Sequence, residues 1–192
     1  MLSPKRPPDV LLVCGAPASG KSTLGRAVAA RLGAALLDID TLTGPLTAVV
    51  SALVGVDDFD SPVLAQRTRG PRYLTLQQVA LDNVLVGQSV VLVAPFTAER
   101  RQPAALDAFA QPLAAAGGRP RLVWLHLPGA ELIERMRSRA AQRDRIKLAD
   151  DGAYLAGIDL DIPRSPHLAV DATSPLAGQV AQVERALGDA VG

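Results

Sequence analysis

The residues whose types and spacing could do chemistry begin with Gly15-Ala16-Pro17-Ala18-Ser19-Gly20-Lys21-Ser22-Thr23, which fits the pattern GxxxxGK[ST]. Glycines at both ends let the backbone fold into a concave nest of N–H groups, and a helix starting near Lys21 adds its positive end. A polyphosphate would find preformed donors along Gly15, Ala16, Ala18, Ser19, Gly20, Ser22 and Thr23. Lys21 would reach the β- and γ-phosphates, and Ser22 would offer its hydroxyl to Mg2+, a hard cation that binds through few protein oxygens. The bland alternative is an ordinary glycine-rich turn between a strand and a helix. The chain holds only three lysines, Lys5, Lys21 and Lys147, so a chance lysine at this place would be a rare event.

Two carboxylates, Asp38 and Asp40, follow at the end of a short apolar run, where open α/β sheets hold their ligands. A strand puts residues i and i+2 on one side, so both carboxylates are expected to face one cleft. One could hold Mg2+ through water while the other orients or deprotonates an attacking hydroxyl. Against this stands the reading that Asp38 and Asp40 merely cap the next helix.

Five apolar runs position these groups. Val10–Cys14, Ala34–Asp38, Ser89–Ala94, Arg121–Leu127 and His167–Asp171 read as strands. Helices are expected at Lys21–Leu32, over the apolar positions between Thr41 and Asp60, and from Pro62 to a stop at Gly87 with an interruption near Gly70-Pro71. Further helices are expected over Glu99–Ala116, Ala130–Arg139 and Leu176–Leu187. Strands alternating with helices predict an α/β chain with a parallel sheet covered on both faces. Residues 1–8, rich in proline, read as a flexible tail, residues 9–192 as a single domain, and the polar stretch Ala140–Ser165 as a mobile lid.

The 192 residues carry a formal charge of +1, with 48% hydrophobic, 20% charged and 3% aromatic side chains. That balance suits a globular chain. It gives nucleic acid and anionic membrane little electrostatic hold, and the scarcity of aromatics leaves little for base stacking. No apolar run nears the roughly 18 residues of a membrane span. Cys14 is the only cysteine, so no internal disulfide forms, and its place in a buried strand assigns it to packing. A cytoplasmic location is the expectation. Neither His126 nor His167 has a partner at metal-ligand spacing, which argues against zinc. All but three of the 20 basic residues are arginines, whose planar fork fits phosphate and carboxylate.

The Gly15–Thr23 loop, the Asp38-x-Asp40 pair at its spacing and the arginine-rich segment after the fourth strand resemble the shikimate and gluconate kinase group of P-loop kinases. They also resemble the chloramphenicol phosphotransferase-like and zeta-toxin-like relatives. The resemblance spans most of residues 9–187. It implies a P-loop NTPase fold, a five-stranded parallel sheet in the order 2-3-1-4-5, and a small arginine-rich lid. It further implies transfer of the γ-phosphate of ATP, with Mg2+, to a hydroxyl of a small molecule such as a metabolite, a sugar-like compound or an antibiotic.

By position, the resemblance implies Asp38, with Ser22, on the metal side and Asp40 at the acceptor hydroxyl. Arg139, Arg143 and Arg145 would be lid arginines on the phosphates, with Arg143 among the catalytic residues beside Lys21. Their alternative is a solvated helix end. Arg67, Arg69 and Arg72 lie where these relatives gather acceptor-binding groups, and Arg100 is a further candidate. Pro95-Phe96-Thr97 departs from the family's Gly-Gly or acidic endings of the third strand, which removes an obvious Walker B acid there and leaves the acceptor open. The adenine is expected near Asp171–Pro175, and the assembly as monomer or homodimer. A nucleoside monophosphate or a sugar nucleotide is an alternative acceptor, and a non-catalytic nucleotide switch is disfavoured because the base-reading motif NKxD is absent.

Overall fold

The first strand sets the architecture. β1 (Asp9–Gly15) is buried at every position, which requires strands on both its edges and helices over both its faces. The computed structural model describes residues 6–58, 61–139 and 151–188, and among them β1 lies at the centre of a five-stranded sheet. With β2 (Ala35–Asp38), β3 (Val90–Val93), β4 (Arg119–His126) and β5 (His167–Asp171), the order is β2-β3-β1-β4-β5. Every pairing is parallel, as the family resemblance implied. Asp38 pairs with Val93, and Val93 with Val13. The loop after β1, the end of β2 and the chain leaving β3 therefore share one rim.

Alternation along β1 divides the core. Leu11 and Val13 pack with Leu24 and Val28 of α1 (Lys21–Leu32), Leu132 and Met136 of α6 (Gly129–Arg139), and Val183 of α8 (Leu176–Gly188). Val10, Leu12 and Cys14 pack with Leu76 and Ala80 of α3 (Pro62–Leu85) and with Phe109 and Leu113 of α5 (Pro103–Ala115). α1 stops at Gly33, whose φ of 61° is the left-handed conformation that favours glycine.

Four local expectations are corrected. Asp40 is not on a strand: α2 (Ile39–Leu53) begins right after Asp38 and holds Asp40 in its first turn. α3 runs through Gly70-Pro71 without interruption. Pro71 removes one backbone bond, but Leu64 and Thr68 before it and Leu76, Ala80 and Val84 after it are all buried along one helix, so packing holds the two halves in line. The helix expected over Glu99–Ala116 is two, α4 (Thr97–Arg101) and α5, with Gln102 extended between them (φ −128°, ψ 108°). Pro103 drives its preceding residue out of helical geometry, and that signal was present in the sequence.

The fourth correction concerns the irregular stretch expected at Ala140–Ser165. Residues 140–150 lie outside the described set, but α7 (Asp151–Gly157) follows, and Tyr154, Leu155, Ile158 and Leu160 pack on the core. Of the expected N-terminal tail, residues 1–5 lie outside the described set, while the Pro8 carbonyl accepts the Arg119 N–H at 2.8 Å. Among the described residues no helix is long and apolar enough to cross a membrane.

The contact of α2 with α3 is unusual. The buried stripe of α2 is Thr43, Thr47 and Ser51, whereas Leu46, Val49 and Leu53 face outward at 73, 56 and 81% exposure. The buried threonines are satisfied within their own helices: Thr43 donates to the Ile39 carbonyl, Thr47 to that of Thr43, and Thr68 of α3 to that of Leu64, while Ser51 donates to the Val56 carbonyl just past the end of α2.

Candidate active site

The strand–loop–helix unit around Gly15 builds the phosphate-binding end of the cleft. Gly15 has φ 147°, and a Cβ there would sit 2.6 Å from the Leu125 carbonyl oxygen, so only glycine fits against β4. Ala18 and Gly20 also take positive φ, 59° and 99°. Residues of this hand interleaved with ordinary ones curl the chain into a cradle of N–H groups, and α1 opens from it with its positive end. Ser19 is buried and its Oγ has no hydrogen-bond partner among the described residues. Lys21 Nζ donates to the Ala16 carbonyl at 2.7 Å. Burial pushes the Lys21 ammonium down from 10.5 to about 8, and nearby Asp40 and Asp38 oppose that fall.

Ser22 and Asp38 meet. Ser22 Oγ donates to Asp38 Oδ2 at 2.6 Å, while Asp38 Oδ1 accepts the Asp40 N–H at 3.0 Å. Asp38 therefore caps α2 and also lies against the loop serine. Among the described residues no group of three or more His, Cys, Asp or Glu could hold a metal unaided. A hydroxyl and a carboxylate in contact beside a phosphate cradle nevertheless fit Mg2+, which keeps its waters and takes phosphate oxygens as ligands.

The residues expected on the acceptor side lie on α2, α3 and α4. Asp40 is largely exposed and pairs with Arg72 Nη2 at 2.5 Å, and Arg72 Nε donates to Thr43 Oγ1 at 2.8 Å. Arg69 lies over the Tyr73 ring, 4.7 Å from its centroid. Arg67 is exposed and lies half a turn round α3 from Arg69, so it does not join this group. Arg100 is buried beneath the cleft, its Nη2 2.8 Å from Asp159 Oδ2 and 2.9 Å from the Asp159 carbonyl. Its charge reaches both Lys21 and Cys14. Burial raises the Cys14 thiol to about 12, which leaves it inert. Of the arginines expected in a lid, Arg139 ends α6 with its side chain outside the described set, where Arg143 and Arg145 also lie.

A family profile described as an AAA domain matches residues 10–157, three quarters of the chain and all of the cradle, Asp38 and Asp40. The chain belongs to this AAA domain family. No curated protein sequence matches it significantly. Among solved structures, a candidate kinase from Chloroflexus aurantiacus is 25% identical with a TM-score of 0.69, the match covering 97% of this chain and 99% of the other. A gluconokinase from Sinorhizobium meliloti is 22% identical with a TM-score of 0.62, covering 97% of each chain. A sugar kinase from Janibacter sp. is 20% identical at 0.62, covering 95 and 94%. The fold of this AAA domain is that of the P-loop small-molecule kinases.

Three further buried or bridging residues of the AAA domain were not singled out from sequence. Arg135 of α6 bridges the cradle to the chain after β5, with Nη1 donating to Ser19 O at 3.1 Å and Nη2 to Ala172 O at 2.6 Å. The chain it reaches is the Asp171–Pro175 turn, where Asp171 accepts from the Thr173 N–H and hydroxyl and from Ser174 Oγ. Asp159 and Glu99 are the other two. Burial would raise the Asp159 carboxyl, but Arg100, the Asp161 N–H and Arg101 together hold it below its ordinary value. A cavity of about 500 Å³ bordered by Leu106, Asp107, Arg121 and His167 lies toward the starts of β4 and β5, at the end of the sheet away from the cradle.

Proposed function

We propose that this protein is an ATP- and Mg2+-dependent phosphotransferase that moves the γ-phosphate to a hydroxyl of a small molecule. The observation that carries the reading is the contact of Ser22 with Asp38 at the mouth of a cradle that ends in Lys21. In this reading the backbone of Gly15–Gly20 binds the phosphates and Lys21 turns from the Ala16 carbonyl to their oxygens. Mg2+, held by Ser22 and on the side of Asp38, supplies charge neutralisation when bound. Asp40 orients the acceptor hydroxyl and takes its proton, once the acceptor displaces Arg72 from it. Arg139, Arg143 and Arg145 add positive charge at the transferring phosphoryl group, and Arg135 closes the base end of the nucleotide site. Arg69, Arg72 and Arg100 line the acceptor side. A cytoplasmic location, where ATP and small hydroxylated molecules are at hand, suits this chemistry.

The test is incubation with γ-labelled ATP, Mg2+ and a panel of sugars, polyols, hydroxylated antibiotics, nucleoside monophosphates and sugar nucleotides. Labelled phosphate is expected on at least one acceptor. Lys21→Ala is expected to lower kcat by about 10²–10³-fold, the size of effect seen when a single charge-stabilising donor is removed. Undiminished transfer by that variant would overturn the reading.

A further inference from the structure

The outer face of α2 carries nothing that water favours. Between Asp40 and Asp57 the chain has no charged residue. From Pro45 onward the exposed residues of α2 are Pro45, Leu46, Ala48, Val49, Ala52 and Leu53, every one apolar. A surface helix ordinarily turns its polar stripe to water, whereas here Thr43, Thr47 and Ser51 are the buried ones. Single apolar residues on a surface need no explanation, but a contiguous row on one helix makes a patch of a few hundred Å², the kind that marks a contact site. The spacing says what kind of surface covers it. Ile39, Leu42, Leu46, Val49 and Leu53 follow one another by three and four residues in alternation, the seam by which one helix meets another. Ile39 lies in the core and Leu42 packs against it, so the start of the seam is covered by this chain's own sheet. Leu46, Val49 and Leu53 carry it onward and are each more than half exposed among the described residues. None of these three borders the cavity of about 500 Å³ or the small one beside Leu36 and Leu42. The face is therefore suited to another surface rather than to a small molecule.

We propose that this face is the two-fold interface of a homodimer, with α2 of one copy packed antiparallel on α2 of the other. Leu42, Leu46, Val49 and Leu53 are spaced by four, three and four residues, a pattern that is the same in both directions. Turned about an axis between Leu46 and Val49, the stripe meets its own copy, Leu46 of each chain against Val49 of the other, as a closed two-fold contact requires. Ala48 and Ala52 leave room for the two helices to approach. Charge agrees with this occupant. No like charges meet along the stripe, and the antiparallel arrangement sets the positive N-terminal end of one α2 beside the negative C-terminal end of the other, where Asp57 and Asp58 are exposed. A lipid surface fits less well: helices that lie on membranes carry basic residues on their polar face, and α2 has none and is followed by aspartates. The area sets the strength. A few hundred Å² of apolar centre from each copy, with a polar rim, reaches the low end of specific interfaces, about 1,200 Å² in total. The dimer is therefore one that exchanges with monomer in the micromolar range. Asp40 stands in the first turn of the same helix, so pairing also steadies the element that carries it. The proposal does not depend on the phosphotransfer reading.

The test is analytical ultracentrifugation of the full chain from about 1 to 200 μM, the range in which a small interface is populated. The sedimenting mass is expected to rise toward twice that of the monomer as concentration increases. Leu46→Glu and Leu53→Glu, both at exposed positions, are expected to weaken the dimer by roughly tenfold or more while leaving the thermal midpoint of the dilute protein unchanged. Ala48→Cys, close to the axis, is expected to give a disulfide-linked dimer on air oxidation. Ala181→Cys, exposed on α8 over the opposite face of the sheet, is expected to stay monomeric. Cys14 is buried and does not interfere. A chain that remains monomeric at the highest concentration would overturn the proposal. So would a dimer that both glutamate variants leave intact, equal cross-linking by the two cysteines, or a monomer that sediments with neutral phosphatidylcholine vesicles. The concentration series and the cysteine pair decide the matter even if a glutamate variant does not fold.

Discussion

At the scale of the residue, Lys21 governs how the site responds to pH. Its ammonium titrates near 8 rather than 10.5 because burial penalises the charge. Between those two values the unfolded chain binds more protons than the folded one, so the Lys21 contribution to stability improves as pH rises from about 8 to 10.5. Nucleotide binding has the opposite sign. A polyphosphate favours the charged amine, so ATP binding above pH 8 is expected to take up protons and weaken as pH rises. Calorimetry in buffers of different ionisation enthalpy measures that uptake, and Lys21→Ala should abolish it. Lys21 and Asp38 were legible as residues because their spacing follows a pattern with a mechanical reason. Glu99 was not, since a lone glutamate in a helical stretch reads as a solvated surface charge. Only the proline at 103, by ending α4 early, hinted that Glu99 turns inward.

At the scale of the element, the short helix α4 depends on a partner far along the chain. Asp159 receives Arg100 at 2.8 Å and Arg101 at 2.8 Å, and the Arg164 N–H donates to the Arg100 carbonyl at 3.0 Å. Both Arg100 and Asp159 side chains are more than nine-tenths buried. Asp159→Asn is expected to destabilise the protein by about 3 kcal/mol at neutral pH, because breaking a buried pair strands the remaining charge. Urea unfolding reads this as a lower midpoint. The depressed carboxyl of Asp159 contributes stability above its ordinary value of 3.8 that is lost as pH falls through its folded value, so the gap between variant and wild type should close in acid. None of this pairing was visible beforehand. Asp159 stands in a polar stretch without periodicity, and the partners of a buried ion pair some sixty residues apart leave no local trace.

At the scale of the whole molecule, the strand order could be read only through family resemblance, whereas the five apolar runs could be read from the residues themselves. Periodicity identifies strands but does not say which neighbours which. In the proposed reading the ligand would touch the rim at the ends of β1, β2, β3 and β5, so occupancy should brace the entire sheet. At a hundred times its Kd an ATP analogue with Mg2+ is expected to stabilise the fold by about 2.7 kcal/mol, a rise of roughly 5–10 °C in Tm. Lys21→Ala should remove most of that rise, and a thermal melt checks both. The contact of α2 with α3 bears on how such a rim could close. Its threonine hydroxyls are already bonded inside their own helices, and Leu46, Val49 and Leu53 of α2 point to solvent. Arg72 of α3 reaches across the contact to Thr43 and Asp40 of α2. Shear of one helix along the other therefore breaks none of these threonine bonds. In the proposed reading Arg72 would act as a latch on such shear, released by a ligand that claims Asp40.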